Sequence, residues 1–212
     1  KQLSTIVQGD PCIVGVSDSL SYELNAEQSL FNDPDLLNQT FLEQINYYKS
    51  FKKIRSIIGD TFPSVQVSVI DTGVFLDSEE VAHNLAKDLT GTNFSIYHKG
   101  VDPSVHNIPE DYIGHGHGVA SVITSKPNNE IGAAGISPEV VLHPILLPLK
   151  VNSSMIANAI LLAANAGSKV VNLSVGTLNK TYCSAMIGEA VRIAISKGVF
   201  FVFSAGNKLE DG

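Results

Sequence analysis

Tryptophan is absent from the chain, cysteine and methionine occur only twice each, and basic residues are outnumbered by acidic ones, 14 to 21. Each shortage excludes something. The formal charge of −7 argues against nucleic acid as a partner, because a phosphate-binding surface needs clustered cations. The apolar runs, such as residues 140–149 and 199–203, fall well short of the roughly 20 residues that a membrane-spanning helix needs, so no transmembrane segment is expected. Two cysteines, Cys12 and Cys183, are too few for a disulfide framework; they either pair in a secreted protein or stay apart as small buried hydrophobes. Asn-x-Ser/Thr triplets begin at Asn38, Asn93, Asn152, Asn172 and Asn179, which leans toward a secreted or cell-surface location.

What is present points to one domain preceded by an extension. At 212 residues the chain can bury a sizeable core. Residues 1–35 are polar and show no sustained periodicity, so an irregular N-terminal extension is expected there, followed by a domain over 36–212. Leu37, Phe41, Ile45, Tyr48, Phe51, Ile54 and Ile58 recur three or four apart, the spacing of one long helix or two short ones. After Pro63 the pattern changes. Residues 65–70, 140–147, 169–173 and 199–203 are short apolar runs rich in β-branched and aromatic side chains, as expected for strands buried on both faces in a parallel sheet. Between them, 118–124, 153–166 and 183–196 are rich in Ala, Ile, Leu or Met, and the last two stop near Gly167 and Gly198, the usual helix stop signal. Alternating strand and helix predicts an α/β domain, a parallel sheet flanked by helices on both faces.

Functional groups in such a sheet gather at the carboxyl ends of strands. The run Val67-Ser68-Val69-Ile70 ends in Asp71-Thr72-Gly73, and the run 199–203 ends in Ser204-Ala205-Gly206-Asn207. Between them, His115 stands between Gly114 and Gly116 at the start of a small-residue helix. An acid, a base and an amide so placed are three parts of an acyl-transfer site. His115 and His117 together also have His-x-His spacing, a possible metal pair, although the flanking glycines oppose a strand and no third ligand is indicated. Gly132 and Gly135 lack the spacing of a phosphate loop. His83, His98, His106 and His143 are expected to be surface or satisfied packing residues.

With those residues assembled, the chain resembles the subtilisin-like serine proteases. Val67 to Val74 is similar to that family's Asp motif, and Asp111-Tyr-Ile-Gly-His115-Gly-His117-Gly-Val-Ala-Ser121 to its His motif. Asn172-Leu-Ser174-Val175-Gly176 resembles its substrate-strand motif, and Ser204-Ala-Gly-Asn207 its oxyanion motif. Asn128-Asn-Glu-Ile-Gly132-Ala-Ala-Gly135 resembles the family's connecting segment. The resemblance spans roughly residues 32 to 207 and implies a subtilisin-like fold and peptide-bond hydrolysis of a peptide or protein substrate. It implies Asp71 as the acid that orients His115, His115 as general base, and Asn207 as donor to the oxyanion. It implies that Ser174, Val175 and Gly176 pair with an extended substrate as an added strand. No cofactor is required, but a structural calcium is possible, with Asn129 as a side-chain ligand and Glu80 near a family carboxylate.

The departures matter as well. His117 and Gly118 stand where the family has Thr and a second His, and Asp77-Ser-Glu-Glu80 occupies the region of its usual His-Pro-Asp-Leu. Register assigns the base to His115, with His117 as the alternative in a shifted frame. No serine here has the family's Gly-Thr-Ser-x-Ala context. The nucleophile is therefore expected on a separate or missing segment, a second polypeptide that would also cover the apolar strand 199–203, and residues 1–212 alone are expected to be inactive. The alternative is a pseudoprotease, a degenerate member that binds a partner without cleaving it.

Overall fold

The computed structural model describes residues 31–59, 62–94, 109–176 and 184–206. Its centre is a four-stranded, all-parallel sheet in the order β2-β1-β3-β4, built from β1 (Gln66–Asp71), β2 (Val141–Leu146), β3 (Val170–Leu173) and β4 (Phe200–Phe203). The main helices are α1 (Phe41–Gln44), α2 (Tyr47–Ile58), α3 (His115–Thr124), α4 (Ser153–Asn165) and α5 (Ala185–Ser196). The expected α/β architecture is therefore present, with helices on both faces. Ile70, Ile145, Val171 and Leu173 point to one face and pack against Ile160 and Ala163 of α4 and Ala190 and Ala194 of α5. Val69 and Leu142 point the other way and meet Ala120 of α3, together with Val74 and Val81. Alternation along each strand makes the division, since successive side chains leave opposite faces.

The strongest local signals lie at the helix ends. Asn152 caps α4, its side chain accepting from Met155 N at 3.0 Å, and Ser184 caps α5 through Ile187 N. Gly167 and Gly198, both at positive φ, end these helices where the sequence placed the stops. The heptad-like run 36–58 resolves into a 3-10 turn at Pro34–Asn38, the single turn α1, and α2. Two short pieces form because Asn46 takes a left-handed conformation, φ 54°. These pieces bury Leu36, Leu42, Tyr47 and Tyr48 against Ala134, and burial pushes the Tyr47 phenol up to about 12. Gln39 ties them to the domain. Its amide donates to Ala134 O at 2.8 Å and accepts from Ala134 N at 2.9 Å, as a backbone neighbour would.

One expectation needs adjustment, that for the last strand. Residues 31–35, the described part of the expected extension, are packed on the domain: Phe31 lies against Tyr47 and Phe51, and buried Asp33 accepts from Asn128 N and Asn129 N. Residues 1–30, with Cys12, lie outside the described residues, as does Cys183. Strand β4 is not buried on both faces. Phe200 is 67%, Val202 45% and Phe203 50% exposed; β4 pairs with β3 on one side and has no strand neighbour on the other among the described residues, whereas β2 at the opposite edge is buried and is bridged by Leu85 and Asn93. Strand β1, the second strand from that edge, is likewise buried throughout after Gln66.

His143 is the satisfied packing histidine that was expected. It is 3% exposed, and its Nδ1 lies 2.9 Å from Ser68 Oγ, which is itself 2.7 Å from Ser168 Oγ. Among the described residues no helix is long and apolar enough to cross a membrane.

Candidate active site

Strand β1 carries its last residue, Asp71, to the carboxyl edge of the sheet, where the side chain is 3% exposed. Asp71 Oδ1 accepts from Thr72 N at 2.7 Å and lies 2.7 Å from His115 Nδ1. A carboxylate offers only acceptors, so the short contact puts the imidazole proton on Nδ1 and leaves Nε2 with a free lone pair. The His115 side chain is 56% exposed, so that lone pair belongs to a ring open to an incoming group. Asp71 Oδ2 is buried and has no hydrogen-bond partner among the described residues.

Helix α3 positions His115, and two residues lock the start of that helix to the end of β1. Asp111, 2% exposed, accepts from Ile113 N at 2.8 Å and Gly114 N at 2.9 Å through Oδ1, and from His117 N at 3.0 Å through Oδ2. Burial alone would raise its pKa, but these three amides and the Thr72 hydroxyl together outweigh burial and hold the carboxyl below its usual range. Thr72 Oγ1 in turn accepts from Gly116 N at 2.8 Å. The fit is close enough to require glycine. A Cβ on Gly116 would sit 2.4 Å from Gly73 O, and one on Gly73, at φ 98°, would sit 2.3 Å from Pro109 O. Asp111 and Thr72 went unassigned in the sequence reading. Their only signal was position, one beside the acid and one four residues before the base.

His117 does not reach Asp71. Its Nδ1 accepts from Phe75 N at 3.4 Å and its ring packs on the Phe75 ring, 4.4 Å between centroids. Burial lowers its pKa, against the opposing pull of Asp111, Glu80 and Glu110. The metal-pair alternative for His115 and His117 gains no third ligand, since no cluster of three His, Cys, Asp or Glu side chains able to hold a metal occurs among the described residues. Tyr112 at 79%, Ile113 at 53% and Phe75 at 39% exposure make an apolar rim beside His115.

The register brings the other expected residues to the same edge. Ile70 pairs with Leu173, so Ser174 leaves β3 level with Asp71, and Val175 and Gly176 continue outward. The Asn172 amide donates to Ser174 Oγ at 2.9 Å. Leu173 pairs with Phe203, so the segment Ser204-Ala205-Gly206 leaves β4 on the same edge. Asn207 lies outside the described residues.

The loop 127–133 sits apart from this edge. Asn129 Nδ2 donates to Glu80 Oε1 at 2.8 Å, and Asn129 Oδ1 accepts from Ile131 N at 3.2 Å. Glu80 Oε2 also accepts from Ala133 N at 3.5 Å. As placed, the Asn129 amide turns its N–H, not its oxygen, to the Glu80 carboxylate, while its oxygen is taken by Ile131 N.

Comparison with known proteins agrees with this geometry. The model described as "Subtilase family" matches residues 63–212. Subtilisin Savinase of Lederbergia lenta is 32% identical over 152 residues, covering 70% of this chain and 50% of its own. Thermitase of Thermoactinomyces vulgaris is 30% identical over 145 residues, covering 67% of this chain and 47% of its own. Among solved structures, a cold adapted subtilisin-like serine proteinase superposes with TM-score 0.53 at 26% identity, over 68% of this chain and 46% of that one. The chain thus spans about half the length of these relatives.

Proposed function

The chain belongs to the subtilase family, and from that premise we propose that it is part of a serine endopeptidase that hydrolyses peptide bonds in peptide or protein substrates. The observation that carries the proposal is the 2.7 Å contact between His115 Nδ1 and buried Asp71 Oδ1, with the rest of the His115 ring exposed. His115 Nε2 takes the proton of a serine hydroxyl as that oxygen attacks the substrate carbonyl, then returns it to the leaving amine. Asp71 holds the tautomer and stabilises the imidazolium that forms between those steps. Asn207 donates to the oxyanion, and the backbone of Ser174, Val175 and Gly176 pairs with the extended substrate.

The serine is proposed to come from polypeptide beyond residues 1–212, on the same or a second chain. Support lies in β4, whose exposed Phe200, Val202 and Phe203 present an apolar sheet edge of the kind that proteins keep covered. An extracellular or cell-surface place of action accompanies this reading. The chemistry requires no cofactor. A calcium held by Glu80 and Asn129 would have to displace the Asn129 hydrogen bonds to Glu80 and Ile131; a chelator would then lower the Tm of the wild type but not of Asn129→Ala.

The pseudoprotease reading is favoured by one observation: His117 and Gly118 replace motif residues beside the base, and His117 is engaged with Phe75. Hydrolysis of a mixed peptide library by the full-length protein, with labelling by a serine-directed fluorophosphonate, separates the two. The endopeptidase reading expects labelling and a loss of about 10,000-fold in kcat for Asp71→Asn. A folded full-length protein that neither labels nor cleaves leaves only the binding role.

A further inference from the structure

The segment after Asp71 is held amide by amide to α3 and the residues that lead into it. Val74 N donates to Pro109 O at 2.9 Å, Phe75 N to His117 Nδ1 at 3.4 Å, and Leu76 N to Glu110 Oε2 at 3.3 Å. The Phe75 ring packs on the His117 ring at 4.4 Å, and its tip lies 3.9 Å from where a Cβ on Gly114 would stand, next to His115. His117 itself is anchored through its own amide to Asp111 Oδ2.

We propose that His117 is a positioning residue whose ring clasps the Phe75 backbone and so keeps the Asp71 segment registered against the helix start that presents His115. The inference rests on the endopeptidase reading for its consequence in catalysis, but not for the clasp itself.

Chemistry makes the clasp sensitive to protonation. An imidazolium carries N–H on both nitrogens and has no acceptor, so a proton on His117 sets two donors face to face at Phe75 N. The groups facing the ring are Asp111 and Glu110 before α3, and Glu80 across from it, all of which favour the proton. Burial opposes it and prevails, keeping the ring neutral to a lower pH than an open histidine. The clasp is therefore closed at neutral pH and opens in acid. His115 cannot serve in its place, because its Nδ1 is committed to Asp71.

Two variants divide the parts of the clasp. His117→Asn keeps an acceptor near the Nδ1 position and cannot titrate; His117→Phe keeps a flat ring and has no acceptor. The test is to follow the Phe75 amide by heteronuclear NMR in the full-length protein through an acid titration, beside pH profiles of kcat/KM. The wild-type amide is expected to shift with a midpoint below the ordinary 6.5, and the shift to be absent in His117→Asn. As pH falls through that midpoint, kcat/KM should fall more steeply in the wild type than in His117→Asn, which lacks the His117 protonation. His117→Phe should lose activity even above neutrality, and His117→Asn should regain it. A Phe75 amide that does not move, or moves equally in His117→Asn, overturns the clasp. Absence of hydrolysis at every pH would sink the endopeptidase reading alone, since the amide titration still decides the clasp.

Discussion

Two glycines in one helix turn predict opposite outcomes for the same substitution. Gly116→Ala places a Cβ 2.4 Å from Gly73 O, 2.9 Å from Gly73 N and 3.0 Å from Thr72 N. All three are backbone atoms, so no side chain can rotate away. Reaching ordinary contact at 3.4 Å means moving the start of α3 away from β1 by about 1 Å. Such overpacking costs about 1–3 kcal/mol, of which the better helix propensity of alanine returns at most about 1 kcal/mol. The same shift stretches the Gly116 N to Thr72 Oγ1 bond from 2.8 Å and the His115 to Asp71 contact from 2.7 Å, toward the limit of hydrogen bonding. If the pair acts as proposed, a displacement of that size lowers the rate by about 100-fold. Gly118→Ala, two residues on, meets nothing within 4 Å and should stabilise by about 0.5–1 kcal/mol. The assay is thermal unfolding of both variants beside wild type, where 1 kcal/mol moves Tm by about 2–4 °C, followed by kcat/KM. Equal or higher stability of Gly116→Ala would refute the packing argument. A destabilised Gly118→Ala would refute the reading of that position as open.

Acid should weaken the fold in a defined window. His83, His117 and His143 all have pKa values lowered, by burial first in each case. In the unfolded chain they take up protons near the ordinary 6.5 while the folded chain still excludes them, so stability is full above that value and declines as pH falls below it toward the folded pKa values. Flat stability between about pH 7 and about pH 5 would contradict this. Asn152→Ala removes the acceptor that caps Met155 N and should cost about 1 kcal/mol in urea unfolding; an unchanged midpoint would show that the α4 cap contributes nothing.

The elements and their order were legible in the sequence because their signals are local. Short β-branched runs, Ala-rich stretches and the stops at Gly167 and Gly198 act over a few residues and are strong enough to survive tertiary context. The candidate site was legible to the same depth, as far as residues standing at strand and helix ends. What the chain sequence could not settle was which of two histidines meets Asp71. His115 and His117 share one glycine-flanked stretch, and only the position of the helix start separates them. Residues two apart on a helix point about 200° away from each other, so once α3 begins at His115, one ring reaches Asp71 and the other is turned to Phe75.

By itself, then, the sequence determined the α/β class, the parallel strands and an acid and a base placed to meet. The tertiary structure decided the rest, because it depends on neighbours far along the chain. Thr72 and Asp111 became locking residues only when β1 and α3 were brought together. Asp33 became a brace for a loop about 95 residues away. The exposure of β4 was decided in the same way. Its composition reads as core, but β4 has no covering segment among the described residues, whereas β2 at the opposite edge is buried and is bridged by Leu85 and Asn93.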